Sequence, residues 1–368
     1  MKDNSVYKLL SFYKFVDVKD PRKEVKDLKQ YAQGIGIKGR IYIGEEGINA
    51  TCTVNQGQFK ALLFYLDSHP LFNNIPDIEI KAQEVDGHQF NKMIVRYRKE
   101  IVALGAIYRA NDIEQAKYKV SVDQFKELID EADPNSYLIL DMRNDYEYKL
   151  GHFKNARPAG TMTFKETEQL IKDYRERAGN KDVYMYCTGG IRCEKLAVML
   201  EQSGMENVKQ LDGGVVKYVN LHNDGNWLGN LYTFDGRVST PVGDHDTHKI
   251  IAKCHYSDEA TEHMYNCRNG ICNAQIIAKP KYYKKHMGFC SEKCWKDAID
   301  HLNIRDVNFD DLEYKEMRIK IRTGELTKEE VQKTVADHLT RHLHHIDFKH
   351  KEPVNEHLTV DDYIGELQ

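Results

Sequence analysis

Cys187 ends an apolar, β-rich run, Val183 to Tyr186, and opens the segment Cys187-Thr188-Gly189-Gly190-Ile191-Arg192-Cys193-Glu194. The run reads as a central parallel strand, and apolar residues recur at helical spacing from Lys195 to Leu200, so the segment joins a strand to a helix N-terminus. Thr188, Gly189 and Gly190 carry little bulk and tolerate unusual backbone angles. Successive N–H groups from there through Ile191 can therefore turn inward as a concave anion site. That nest, the positive helix end and the Arg192 guanidinium all favour a thiolate or persulfide over its neutral form. The spacing predicts Cys187 as a nucleophile, partly ionised near neutral pH; the plain alternative is a buried strand-end cysteine. Cys187 to Arg192 is a C-x4-R ring, one residue short of the cradle a cysteine phosphatase needs around phosphate, and the shorter ring suits sulfur.

Two neighbours complete this candidate site. Cys193, at the start of the helix, can resolve a sulfenic acid or persulfide on Cys187 by closing a disulfide; otherwise it is a small buried residue. Asp141 ends the predicted strand Tyr137 to Asp141, and ligands in open α/β sheets bind off the carboxyl ends of strands, so Asp141 and Cys187 are expected to share a pocket. A strand-end Asp also commonly satisfies backbone donors.

Further along, Cys254, Cys267, Cys272, Cys290 and Cys294 give a C-x4-C pair, a C-x3-C pair and one extra cysteine. Two pairs can hold a tetrahedral zinc, with reduced free thiols as the alternative. Cys254 is left outside the two pairs, with His255 and His263 as candidate partners. Between the pairs, Lys281, Lys284 and Lys285 can neutralise phosphates while Tyr282 or Tyr283 stacks on an unpaired base. A second basic stripe, Lys92, Arg96 and Arg98, alternates with Met93, Val95 and Tyr97, which places the cations on one face of a strand. Either stripe can equally be a solvated edge.

The elements that must position these residues follow from periodicity. Strand (Leu9 to Val16), helix (Glu24 to Ala32), two strands (Ile37 to Val54), helix (Phe59 to Leu66) and strands near Ile78 to Val85 and Met93 to Val102 suggest a ferredoxin-like α+β domain; Glu46-Gly47-Ile48-Asn49 suits a hairpin in which Asn49 caps the turn. A polar linker from Tyr108 to Lys119 then leads to helix (Val122 to Ile129), strand (Tyr137 to Asp141), helix (Phe164 to Tyr174) and strand (Val183 to Tyr186), an alternation that implies a doubly wound parallel sheet. The tail from Asp306, including Arg341-His342-Leu343-His344-His345, is expected to form helices with frayed ends.

With 368 residues, two or three domains are expected. The formal net charge of −4 means that a nucleic-acid partner must be met by local basic surface. No stretch approaches the roughly 18 apolar residues of a membrane span, and Met1 to Lys8 is polar without a signal-peptide core, so no membrane partner is expected. Two of the eight cysteines sit in the loop and five cluster late, a pattern of reactive and metal-binding thiols expected of a cytoplasmic protein, with Cys52 left as core.

Leu138-Ile139-Leu140-Asp141-Met142-Arg143, Gly151-His152, the Cys187 loop and Leu211-Asp212-Gly213-Gly214 resemble a rhodanese domain in order and spacing. More narrowly, the run Cys187 to Lys195 together with Glu46-Gly47-Ile48-Asn49-Ala50 resembles the rhodanese-like tRNA uridine hydroxylases, over about residues 5 to 295. The resemblance implies a multidomain α/β and α+β chain: a ferredoxin-like domain (1–108), a rhodanese domain with a parallel sheet (116–228), a Cys-rich zinc- or RNA-binding region (229–305) and a tail (306–368). It implies oxygen-dependent conversion of the wobble uridine to 5-hydroxyuridine, with dioxygen as co-substrate, the tRNA anticodon loop as partner and the basic stripes on RNA. The sequence shows no flavin or nicotinamide fingerprint and no iron triad, so the Cys187 thiolate or its persulfide is expected to add to C6 of uracil and make C5 electron-rich. The rival readings are a sulfurtransferase served by thiosulfate or a sulfur-carrier protein, and an inert rhodanese-fold RNA-binding module.

Overall fold

The computed structural model describes residues 6–75, 81–115, 119–160, 171–205, 207–222, 225–243, 248–305, 314–342 and 348. The chain forms two compact units, Met1–Lys249 and Ile250–Gln368. The stretch Ile78 to Ile80 of one expected strand, the first part of the expected helix from Phe164, and Leu343, His344 and His345 lie outside the described residues.

The first unit opens with β1 (Tyr7–Phe15), α1 (Pro21–Gly34), β2 (Lys38–Gly44), β3 (Gly47–Asn55), α2 (Gln56–Ser68), β4 (Gln83–Val85) and β5 (Met93–Tyr97). The strands run in the order β4-β1-β3-β2-β5. Four of them make the expected ferredoxin-like sheet, and β5 extends it by pairing parallel to β2 at the far edge. Leu10, Phe12, Ile41, Ile43, Ile48, Ala50, Val54 and Val95 bury one face against α1 and α2. Period-2 alternation sends Tyr13, Arg40, Tyr42 and Arg96 to the other. Cys52 is core, as expected. β5 ends at Tyr97, short of the expected Val102, because the chain turns away to make contacts described below.

The expected polar linker contains a helix, α3 (Ala110–Gln115), anchored by buried Ile113. Then come β6 (Lys119–Val120), α4 (Val122–Glu131), β7 (Tyr137–Asp141), α5 (Asp145–Leu150), β8 (Gly151–Phe153), β9 (Ala156–Pro158), α6 (Ile171–Ala178), β10 (Asp182–Tyr186), α7 (Ile191–Gln202), β11 (Val208–Leu211) and α8 (Gly214–Leu221). The sheet β6-β11-β10-β7-β9 is parallel throughout, with β10 in its centre. A small antiparallel sheet adds β12 (Trp227–Tyr232) and β13 (Ser239–Pro241) to β8.

The second unit holds β14 (Met264–Asn266), β15 (Gln275–Ile277), α9 (Pro280–Lys285), α10 (Glu292–Asp300), α11 (Tyr314–Thr323) and α12 (Lys328–His342). Its core joins the five late cysteines to Trp295, Val331, Val335 and Leu339, so α12 of the expected tail packs as core. Among the described residues no helix is long and apolar enough to cross a membrane.

Candidate active site and metal centre

β10 delivers Cys187 to the start of α7, whose N-cap is Gly190 at φ 101°. The Gly190 N–H donates to Cys187 Sγ at 3.1 Å. Burial pushes this thiol up, but a hydrogen bond from the Cys193 thiol, the Arg192 charge and the N–H groups of Cys193 and Arg192 outweigh it and bring the pKa from 9.0 to about 6. Cys193 shifts the opposite way, raised by burial and then by its hydrogen bond and charge contact with Cys187. The loop therefore holds one thiolate with one protonated thiol as its donor. Cys187 is only 1% exposed, so its anion is stabilised by protein dipoles in place of water.

Arg192 serves this site through space. Its guanidinium forms a two-pronged pair with Glu147 at 2.7 and 2.9 Å and donates to Thr188 Oγ1 at 3.1 Å. Glu147 is fully buried; burial raises its pKa, and the Arg192 charge and hydrogen bonds bring it below the usual value. Sequence reasoning missed Glu147. Its one local signal is the spacing Asn144-x-x-Glu147, a capping box at the start of α5.

Asp141 is likewise spoken for. Arg143 donates to it from the backbone N–H at 3.0 Å and from Nε at 2.9 Å, and Tyr186 donates its hydroxyl at 2.7 Å. Alternation puts Asp141 with Ile139 and Tyr186 on one face of the sheet, whereas Cys187 joins Leu140 and Met142 in the cluster on the other. The two residues end neighbouring strands without converging, and Asp141 braces the strand ends. The turn Leu211 to Gly214 braces the loop itself: Val215 and Val216 donate backbone N–H groups to the carbonyls of Cys187 and Thr188, both at 3.0 Å. A Cβ on Gly214 would stand 2.5 Å from the Cys187 carbonyl oxygen.

The α+β domain reaches the same loop. Tyr13 of β1 donates to Glu194 at 3.1 Å, and Lys81 donates to the Gly189 carbonyl at 3.3 Å. A side chain on Gly190 would run into the Tyr13 hydroxyl, so this glycine serves both the nest and the domain contact. Lys195 of α7, fully buried, pairs with Glu46 at 3.2 Å and Glu100 at 2.7 Å. Glu46 also accepts from the Ile101 N–H at 2.7 Å. Asn49 lies inside β3 and donates to the Ile101 carbonyl at 2.9 Å; it caps no turn.

Lys92, Arg96 and Arg98 are exposed at the β5 edge. The register pairs Tyr42 with Arg96 and Arg40 with Ile94, so exposed Arg40, which sequence patterning does not single out, joins the basic face. In the second unit, Lys281, Lys284 and Lys285 are exposed on α9. Tyr283 is not available to a base: it is 6% exposed, stacks on Tyr265 at 4.1 Å and donates to the Asn266 carbonyl. Tyr282 is half-buried and donates to Glu259, which also pairs with Lys279 and Lys281.

The sulfur atoms of Cys267, Cys272, Cys290 and Cys294 lie within 4.8 Å of one another and all four residues are buried. Such a set matches the tetrahedral four-thiolate site of a zinc ion with Zn–S bonds of about 2.3 Å. Asn269 Oδ1 accepts from the N–H groups of Ile271 and Cys272, which shapes the C-x4-C turn. Cys254 is outside this set: its sulfur accepts from the Lys279 N–H at 3.4 Å, and despite burial its pKa is lowered by the Ser257 hydroxyl and backbone donors. His255 Nε2 bonds the Cys290 carbonyl at 2.7 Å.

A central parallel strand that hands a nest-held cysteine to a glycine-started helix defines a rhodanese fold, here joined to an acylphosphatase-like sheet. Residues 7–101 match the family described as UPF0176 acylphosphatase like domain, 121–221 the Rhodanese-like domain and 228–295 the Rhodanase C-terminal. Proteins named tRNA uridine(34) hydroxylase are similar over most of their length. That of Bacillus velezensis is 36% identical across 78% of this chain and 88% of its own, that of Bacillus pumilus 35% across 84% and 94%, and that of Chlamydia felis 35% across 80% and 88%. The chain belongs to the tRNA uridine(34) hydroxylase family.

Proposed function

We propose that this protein hydroxylates C5 of uridine 34 in tRNA, giving 5-hydroxyuridine, with dioxygen as co-substrate and Cys187 as the reacting group. The reading is carried by one observation: a thiol brought to about 6 by inward-facing donors, in a chain of this family. The anticodon loop suits such a site because its bases can be splayed into a pocket without melting a duplex. A tRNA substrate implies action in the cytoplasm.

The Cys187 thiolate adds to C6 of the uracil, and C5, made electron-rich, forms a bond to dioxygen. Loss of the C5 proton expels the thiolate and restores the C5–C6 double bond, leaving a hydroperoxide on C5. The thiolate takes the outer oxygen, and the sulfenic acid so formed condenses with the Cys193 thiol. The sum is uridine, dioxygen and two thiols giving 5-hydroxyuridine, water and a Cys187–Cys193 disulfide, which an external thiol then reduces. Arg192 and the N–H groups of Gly190, Arg192 and Cys193 hold the anion, Glu147 holds the loop through Arg192 and Thr188, and Asp141 braces the strand ends. Lys92, Arg96 and Arg98 of the first unit, and Lys281, Lys284 and Lys285 of the second with Tyr282 among them, neutralise tRNA phosphates. Cys267, Cys272, Cys290 and Cys294 hold a zinc whose part is structural.

The test is nucleoside mass spectrometry of an anticodon stem-loop incubated aerobically with the protein. Wild type with added thiol is expected to form 5-hydroxyuridine, and Cys187→Ser none. Without added thiol, about one product per chain should appear with one disulfide. Hydroxylation by Cys187→Ser overturns the reading. Release of thiocyanate from thiosulfate and cyanide with no hydroxyuridine overturns it in favour of a sulfurtransferase, the chemistry a sulfur-carrier protein would feed.

A further inference from the structure

The turn between β12 and β13 holds an aromatic ring out in solvent beside the cysteine loop. Phe234 is 41% exposed, and its ring centre lies 5.8 Å from the guanidinium carbon of Arg192. That guanidinium donates to Thr188, the residue after Cys187. Beneath Phe234 the rings of Tyr232 and Tyr146 form an edge-to-face ladder, with centroids 5.0 and 5.1 Å apart in turn. The ladder starts next to Glu147 and ends at the exposed ring.

The turn is fixed from several sides. Asp235 accepts from the Arg237 N–H at 2.9 Å, from Nε at 2.9 Å and from an outer guanidinium nitrogen at 2.7 Å. Thr233 donates to the Val238 carbonyl at 2.9 Å, and Gly236 donates to the Gln89 carbonyl of the α+β domain at 2.9 Å. Next to Gln89, Phe90 lies 5.9 Å from the guanidinium carbon of exposed Arg40. The Arg40 charge also acts on the Tyr232 hydroxyl. An apolar ring held in water, between the reactive loop and a cationic sheet face, gains free energy when something covers it. Charge selects the class of cover: the cations nearby call for an anionic chain, and a flat ring calls for a flat partner.

We infer that Phe234 is the stacking platform for an unpaired base of the substrate RNA, with Arg40 on the adjacent backbone phosphate. The inference rests on the tRNA reading above and adds to it a binding residue. Bases of any kind offer a π-face, so Phe234 contributes affinity and position, and identity is read elsewhere.

Steady-state hydroxylation of an anticodon stem-loop tests it. Phe234→Ala is expected to lower kcat/KM about ten- to a hundred-fold, mostly through KM, while Phe234→Tyr and Phe234→Trp stay near wild type. The pH midpoint for alkylation of Cys187 should not move in any of the three, since the ring donates nothing to the thiolate. Wild-type kcat/KM in Phe234→Ala overturns the inference. So does failure of both aromatic variants to restore activity, which would mark a packing role. Fluorescence anisotropy with the same stem-loop separates this from the parent reading. If wild type binds the RNA without hydroxylating it, and Phe234→Ala weakens binding, the platform stands and the hydroxylase reading falls.

Discussion

At the scale of the residue, Cys187 is a contest between burial, which disfavours its anion, and donors that favour it; the donors win. Because the thiol is an acid whose folded pKa lies below its ordinary value, its reactive thiolate is retained as pH falls to about 6 and lost below that. The rate of alkylation of Cys187 by iodoacetamide should therefore be flat above neutrality, reach half its plateau near pH 6, and drop about tenfold per pH unit beneath it. Cys193→Ala removes the strongest of the favourable donors, so its midpoint should move up. A wild-type midpoint near about 8.5, the value of a free cysteine, would show that the nest does not hold an anion. This residue was legible because the nest is built from consecutive residues. Glu147 was not, since its partner Arg192 lies 45 positions away and its spacing from Asn144 is fully explained by helix capping. Tyr282 and Tyr283 are equivalent as a sequence pair, and only packing against Tyr265 decides which ring is hidden.

At the scale of the element, α7 is held from both ends of its first turn: by the Cys187 nest on one side and by the α+β domain on the other. Lys195 joins them, and its two carboxylate partners come from β2–β3 and from the chain after β5. Lys195→Met would leave buried Glu46 and half-buried Glu100 without their cation, a loss of about 3 kcal/mol, readable as a lower urea midpoint. The pH dependence has a definite sign. Burial already raises the Glu46 pKa against the pull of Lys195, so without the lysine it rises further. Acidification protonates it, and the gap to wild type should narrow as pH falls. A loss below about 0.5 kcal/mol would show the pair to be ornamental. The order of the first four strands and both helices was legible from periodicity. The fifth strand was legible as a strand, but its parallel pairing with β2 was not, because pairing at the far edge leaves no local mark, and neither was the early end of β5. Residues 98–102 continue a strand-like pattern, yet Arg98, Glu100 and Ile101 turn to bond Ile43, Lys195 and Glu46.

At the scale of the whole molecule, the two units are stabilised differently. Met1–Lys249 packs apolar clusters on its sheets, whereas Ile250–Gln368 includes five cysteines in its core, and its described strands are three residues each. Four thiols converging in a core are a common metal staple. The sulfurs of Cys267, Cys272, Cys290 and Cys294 converge closely enough to supply one. The purified chain should carry about one zinc. Removal by chelator should abolish the melting transition of the second unit while leaving that of the first in place, since binding free energy at such sites is folding free energy. Trp295, 4% exposed on α10 next to Cys294, reports on one unit and Trp227, 5% exposed on β12, on the other. In a Trp227→Phe background the fluorescence of Trp295 should shift to the red on chelation, and Cys272→Ala should mimic the chelated protein. A chain that purifies without metal and keeps both transitions in chelator would leave four buried thiols packed as ordinary core.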